Sequence, residues 1–108
     1  MKNKTFWLSF DLGIKGDYNG MYTWLDSHKA KECGDSVAVF TFNASDKFIQ
    51  EIKSDIQKHV QLNSTDRIYL LWRDEKENKS KGRFLFGARR TPPWSGYAPR
   101  EDSAEEDS

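Results

Sequence analysis

Cysteine is all but missing from this chain. Cys33 stands alone among 108 residues, so no internal disulfide framework can staple the fold. The two histidines, His28 and His59, and that one thiol lack the spacing of a structural zinc site. No apolar run approaches the roughly 18 residues of a membrane helix, so no membrane partner is expected. The opening Met1-Lys2-Asn3-Lys4 looks like the basic region of an export signal, but Ser9 and Asp11 break the apolar run behind it. No export signal is read there, and a cytoplasmic location is the expectation. Gly13, Gly16 and Gly20 have neither P-loop nor dinucleotide-binding spacing.

Aromatic residues are plentiful instead. Four Trp, four Tyr and seven Phe fall in periodic runs, whereas disordered chains are poor in aromatics. At this length one folded domain is expected, over residues 1–92. Residues 93–108 are read as an extended arm and an acidic tail. The formal net charge is zero, yet the charges are segregated. Residues 1–66 carry eight Lys/Arg against nine Asp/Glu. Residues 67–100 carry nine against three, net +6, and residues 101–108 carry five acids and no base. The middle segment is a candidate anion-binding surface, and the tail a candidate competitor for it.

The periodicities give an order of elements. Thr5 to Leu12 alternates Phe6, Leu8, Phe10 and Leu12 with Trp7, Ser9 and Asp11, the period of a strand. Asp17 is placed to cap a helix reaching about His28, with Tyr18, Met21, Tyr22 and Leu25 as its inner stripe. A short strand Lys29–Cys33, a turn at Gly34-Asp35 and a strand Ser36–Asn43 read as a hairpin. Ser45 is placed to cap a second helix, Asp46 to about Val60, whose stripe is Phe48, Ile49, Ile52, Ile56 and Val60. The pairs Lys47–Glu51 and Asp55–His59 are assigned to its wet side. Arg67–Arg73 is a strand, 74–82 a polar loop, and Arg83–Arg89 a last strand. Thr91-Pro92-Pro93-Trp94-Ser95-Gly96-Tyr97 cannot be regular structure. The fold class is therefore α+β: a ferredoxin-like βαββαβ order with an extra C-terminal strand, two helices covering one face of an antiparallel sheet.

The other face would carry Trp7, Ser9 and Asp11 and apolar residues from neighbouring strands. A sheet apolar on both sides is usually covered on both. Its cover is either a second copy of the chain, making a homodimer, or nucleic-acid bases stacked on the aromatics.

Three stretches carry a resemblance. Phe6-Trp7-Leu8-Ser9-Phe10-Asp11-Leu12 resembles the first strand of the small ferredoxin-like CRISPR adaptation proteins and the related VapD-type endoribonucleases. Ser36-Val37-Ala38-Val39-Phe40 is similar to their central strand, and Asp66-Arg67-Ile68-Tyr69-Leu70 to the strand after their second helix. The resemblance spans residues 5–73. It implies a homodimer with Asp11 at the interface as catalytic acid and metal ligand, a Mg ion held between two such acids, and hydrolysis of RNA or DNA. The Pro-Trp-Gly-Tyr arm and the hairpin around 74–89 depart from that pattern.

Other candidates are weighed on chemistry. Arg73, Lys79, Lys81, Arg83, Arg89 and Arg90 are candidate nucleic-acid contacts, because guanidinium forks fit phosphate oxygens. A charged edge strand is the plain alternative. Trp7, Trp94 and Tyr97 are candidate interface residues, the last two packing on the domain or a partner. Cys33 sits among acids, which disfavours a reactive thiolate, and is expected to be small and buried. The function expected is a nucleic-acid-binding homodimer, with nuclease action through Asp11 as its sharper form. The alternative is a non-catalytic protein-interaction module, such as a toxin–antitoxin or defence-system component.

Overall fold

The computed structural model describes residues 2–99. Among these residues seven elements follow one another: β1 (Lys2–Asp11), α1 (Tyr18–Ser27), β2 (Lys31–Gly34), β3 (Val37–Ala44), α2 (Phe48–His59), β4 (Arg67–Asp74) and β5 (Lys79–Phe86). They build one antiparallel sheet in the order β2-β3-β1-β4-β5. The chain is thus α+β and consistent with a ferredoxin-like arrangement. The fifth strand, added outside β4, makes the order differ from the four-stranded pattern. Among the described residues no helix is long and apolar enough to cross a membrane.

Strand parity decides the layers. Phe6, Leu8, Phe10 and Leu12 are buried, as are Ala38, Phe40, Ile68 and Leu70 on the strands beside them. Met21, Trp24 and Leu25 of α1 and Ile52 and Ile56 of α2 join the same core. Both helices therefore seal one side of the sheet. The α1 stripe is rotated from the sequence reading: Trp24 is buried while Tyr22 stays exposed. Trp24 can be buried because its indole N–H donates to the Asp55 carboxylate at 2.7 Å, which satisfies the one polar atom the core would otherwise strand.

The helix ends follow local chemistry. The Asp17 carboxylate accepts from Gly20 N–H at 3.0 Å and from Gln61 N–H at 2.8 Å, capping α1 and tying it to the exit of α2. At the other end of α1, Lys29 turns left-handed at φ 56°. Its N–H reaches Asp26 O, and Ala30 N–H reaches Leu25 O, the bonding of a Schellman cap with lysine where glycine is usual. Ser45 does not cap α2 directly. Its hydroxyl accepts from Lys47 N–H, and Glu51 reaches back to both the Ser45 N–H and hydroxyl. The reciprocal bonding serves the purpose of a capping box, but it spans six residues instead of three and starts before the N-cap Lys47.

Several boundaries differ from the sequence reading. The β2–β3 turn is Asp35-Ser36 rather than Gly34-Asp35, because an irregularity between Glu32 and Gly34 shifts the register. Cys33 is exposed rather than buried, since β2 is an edge strand with no layer over it. The expected loop 74–82 is largely strand. β5 begins at Lys79, four residues before the expected start, and ends at Phe86. Its polar first half lies at a sheet edge where water wets both faces, so no alternation marks it. The closing arm is not extended: Ser95 N–H bonds Pro92 O and Tyr97 N–H bonds Trp94 O, two consecutive turns. Trp94 and Tyr97 are 71% and 84% exposed, so neither packs on the domain.

Candidate functional site: the open face of the sheet

The side of the sheet away from the helices carries a mixed apolar and basic surface. Register fixes its rows. Trp7 on the central strand lies between Val39 and Leu71, and Ser9 between Val37 and Tyr69. Tyr69 in turn pairs with Phe84, their rings edge-on at 4.7 Å. Trp7 is 38% exposed and Leu71 37%, much for large apolar side chains at the middle of a sheet. The Tyr69 ring extends over Gly82, where an added Cβ would stand 2.5 Å from its hydroxyl. The missing side chain at Gly82 is what lets Tyr69 lie flat there.

The rim is charged. Asp11 and Arg67 are register partners, and Arg67 Nη2 donates to Asp11 Oδ2 at 3.0 Å. The Arg89 guanidinium lies 5.7 Å from the Phe84 ring centre, a cation–π distance. Arg73, opposite Ser80, shares the face and hydrogen-bonds Asn78 Oδ1.

The six basic candidates do not form one surface. Arg83 is paired with Leu70 and Lys81 with Trp72, so both point to the helix side, with Lys79 opposite Asp74. Lys81 bridges Asp74 at 2.9 Å and Glu77 at 2.7 Å, and Lys79 meets Glu77 at 3.3 Å. Glu77 and then Asp74 hold the Lys81 ammonium above the ordinary lysine range, while Lys81 lowers both carboxyls. These cations are committed to the hairpin turn. Arg89 does not share a strand with Arg83, because β5 has ended by Phe86. Arg90 Nη2 donates to Thr65 O at 2.7 Å, pinning the chain as it leaves the sheet.

Trp7 and Asp11 stand on the helix-free face, where period-two parity puts them. Asp11 is a poor fit for a divalent cation within one chain. One of its oxygens is taken by Arg67, and no group of three or more His, Cys, Asp or Glu gathers among the described residues. A hard cation with several oxygen ligands needs more than that. The acidic tail at 101–108 lies outside the described residues.

Two polar residues had no functional reading in the sequence. Asp55, assigned to the wet side of α2, accepts from Trp24 and lies 3.2 Å from His28 Nε2 through the same oxygen. Asp66 is 1% exposed; its Oδ2 accepts from Asn63 N–H, while Oδ1 has no partner among the described residues. A lone acid just before a strand gives no sequence sign of burial.

No family model matches the chain, and neither does any curated protein or solved structure. The likeness of residues 5–73 to CRISPR adaptation proteins and VapD-type endoribonucleases therefore rests on its short motifs alone.

Proposed function

We propose that the open face binds single-stranded nucleic acid, with bases stacking on Trp7, Tyr69 and Phe84 and phosphates meeting Arg67, Arg73 and Arg89. The observation that carries this reading is the joint placement of aromatics and charge. Three aromatic side chains stand on three neighbouring strands of a helix-free face. Among the described strand residues directed to that face, Lys31, Arg67 and Arg73 are basic and Asp11 is acidic. Base–aromatic stacking contributes about 1–3 kcal/mol per base and tolerates any sequence, while cations along the rim supply the salt-dependent part. A second copy of the chain is the competing occupant. A two-fold contact would set this face against itself, doubling the surplus positive charge between the copies.

The test is fluorescence anisotropy with labelled single-stranded RNA, single-stranded DNA and duplex at low and moderate salt. The reading expects a single strand to bind better than duplex, affinity to fall with salt, and Trp7→Ala to weaken binding about tenfold or more. Absence of binding at low salt, or equal affinity for Trp7→Ala, overturns it. A stable dimer weakened by Trp7→Ala, with no oligonucleotide binding, assigns the face to a second copy instead.

A further inference from the structure

The sheet forks at one end of the open face. Pairing between β1 and β4 stops at the rung Phe6–Trp72, although both strands continue. β1 stays with β3 out to Lys2–Ala44, and β4 stays with β5 out to Asp74–Lys79. Between the diverging strands lies a groove of about 570 Å³, within the roughly 300–1,000 Å³ of small-molecule sites. Its mouth is shared with the platform, because Trp7 and Arg73 line both.

We propose that this fork holds one nucleotide of the strand bound on the open face, and that it prefers guanine to uracil; the inference rests on the nucleic-acid reading above. Three features carry it. First, the groove offers a ring-binding wall. Phe48 and Trp72 meet edge-on at 5.1 Å, with Trp7 at the opposite lip, so a base entering from the platform keeps an aromatic surface beside it. Second, cations stand where a phosphate would follow the base. Arg73 and Lys76 line the β4 side, and the Lys4 ammonium is held 5.1 Å from the Phe48 ring centre on the β1 side.

Third, the groove also carries carboxylates, which a phosphate-only site would exclude. Asp74 is occupied by Lys81. Asp46 and Glu75 are exposed groove residues with no ion-pair partner among the described residues. A carboxylate accepts hydrogen bonds and cannot donate them, so it selects a base edge rich in donors. Guanine presents N1–H beside its exocyclic N2 amine, two parallel donors for one carboxylate. Uracil presents a single N–H between two carbonyls, which face the acid with like partial charge. A peptide strand suits the fork less well. β1 leaves residues 2–5 unpaired on that side, but β4 offers only Arg73 and Asp74 beyond the last shared rung, so an added strand could not be paired along both walls.

The experiment compares two labelled single-stranded RNAs, a uridine tract and the same tract with one guanosine, by anisotropy at low salt. The expected result is about tenfold tighter binding of the guanosine-containing strand. In the double variant Asp46→Asn, Glu75→Gln the affinity ratio between the two strands should fall to about one. Equal affinities in the wild type overturn the fork assignment while leaving the platform standing, and so does a guanosine gain that survives the double variant. Failure of both strands to bind removes the platform, and the inference with it.

Discussion

Arg67 and Asp11 face each other across the β1–β4 rung and share a hydrogen bond of 3.0 Å at the edge of the open face. The pair is half open to water, Asp11 more than Arg67, so it adds little stability, roughly 0–1 kcal/mol. Its consequence is electrostatic: Asp11 neutralises a guanidinium on the surface assigned to phosphate contact. Asp11→Asn should therefore strengthen single-strand binding at low salt by about two- to fivefold, an advantage that fades as salt rises. A nuclease role for Asp11 requires the variant to abolish cleavage. Loss of a divalent-dependent cleavage activity with no gain in affinity would restore the catalytic reading.

Asp55 holds the two helices together. It accepts from the buried Trp24 indole at 2.7 Å and contacts His28 at 3.2 Å. Asp55→Ala leaves the Trp24 N–H without its partner in the core, which costs about 1–3 kcal/mol. Thermal unfolding should show a Tm lowered by several degrees, and Trp24→Phe in the same background should recover part of the loss. A Tm unchanged by Asp55→Ala would show that the Trp24 N–H finds water instead.

Lys29 adopts φ 56° to close α1. A left-handed backbone costs an L-residue roughly 1–2 kcal/mol that glycine does not incur. Lys29→Gly should raise stability by about 1 kcal/mol, measured by urea unfolding with an unchanged m-value. Destabilisation would mean that the lysine side chain contributes more than its backbone costs.

Asp17 gives the chain a sensitivity to acid. N–H groups of Gln61, and then Gly20, hold its carboxyl below the ordinary carboxylate value. A lowered folded pKa means the native state binds fewer protons there. The stabilisation is complete above the unfolded value of about 3.9 and is lost as pH falls through the folded one. The stability gap between the wild type and Asp17→Asn should therefore be widest near neutrality and narrow progressively as pH falls below the unfolded value. A gap independent of pH contradicts this.

The open face was legible in the sequence because a strand alternates with period two. Once Phe6, Leu8 and Phe10 are assigned inward, Trp7 and Asp11 have nowhere else to point. Helix rotation is less well determined. Tyr22 and Trp24 both suit an apolar stripe, and the choice fell to Asp55, a hydrogen-bond partner 31 residues away along the chain. The basic set looked like one surface because it is contiguous in sequence. The β4–β5 register instead divides it, sending Arg73 to one side and Lys81 and Arg83 to the other. The fork had no sequence signature, since it arises where two strands choose different neighbours.

The most direct test is a two-dimensional ¹⁵N spectrum of the protein titrated with a single-stranded oligonucleotide at low salt. The indole resonance of Trp7 should move, together with amides of Val39, Tyr69, Leu71 and Phe84, while that of Trp24 beneath the helices stays in place. Shifts confined to α1 and α2, or none at saturating oligonucleotide, would contradict the assignment of the open face.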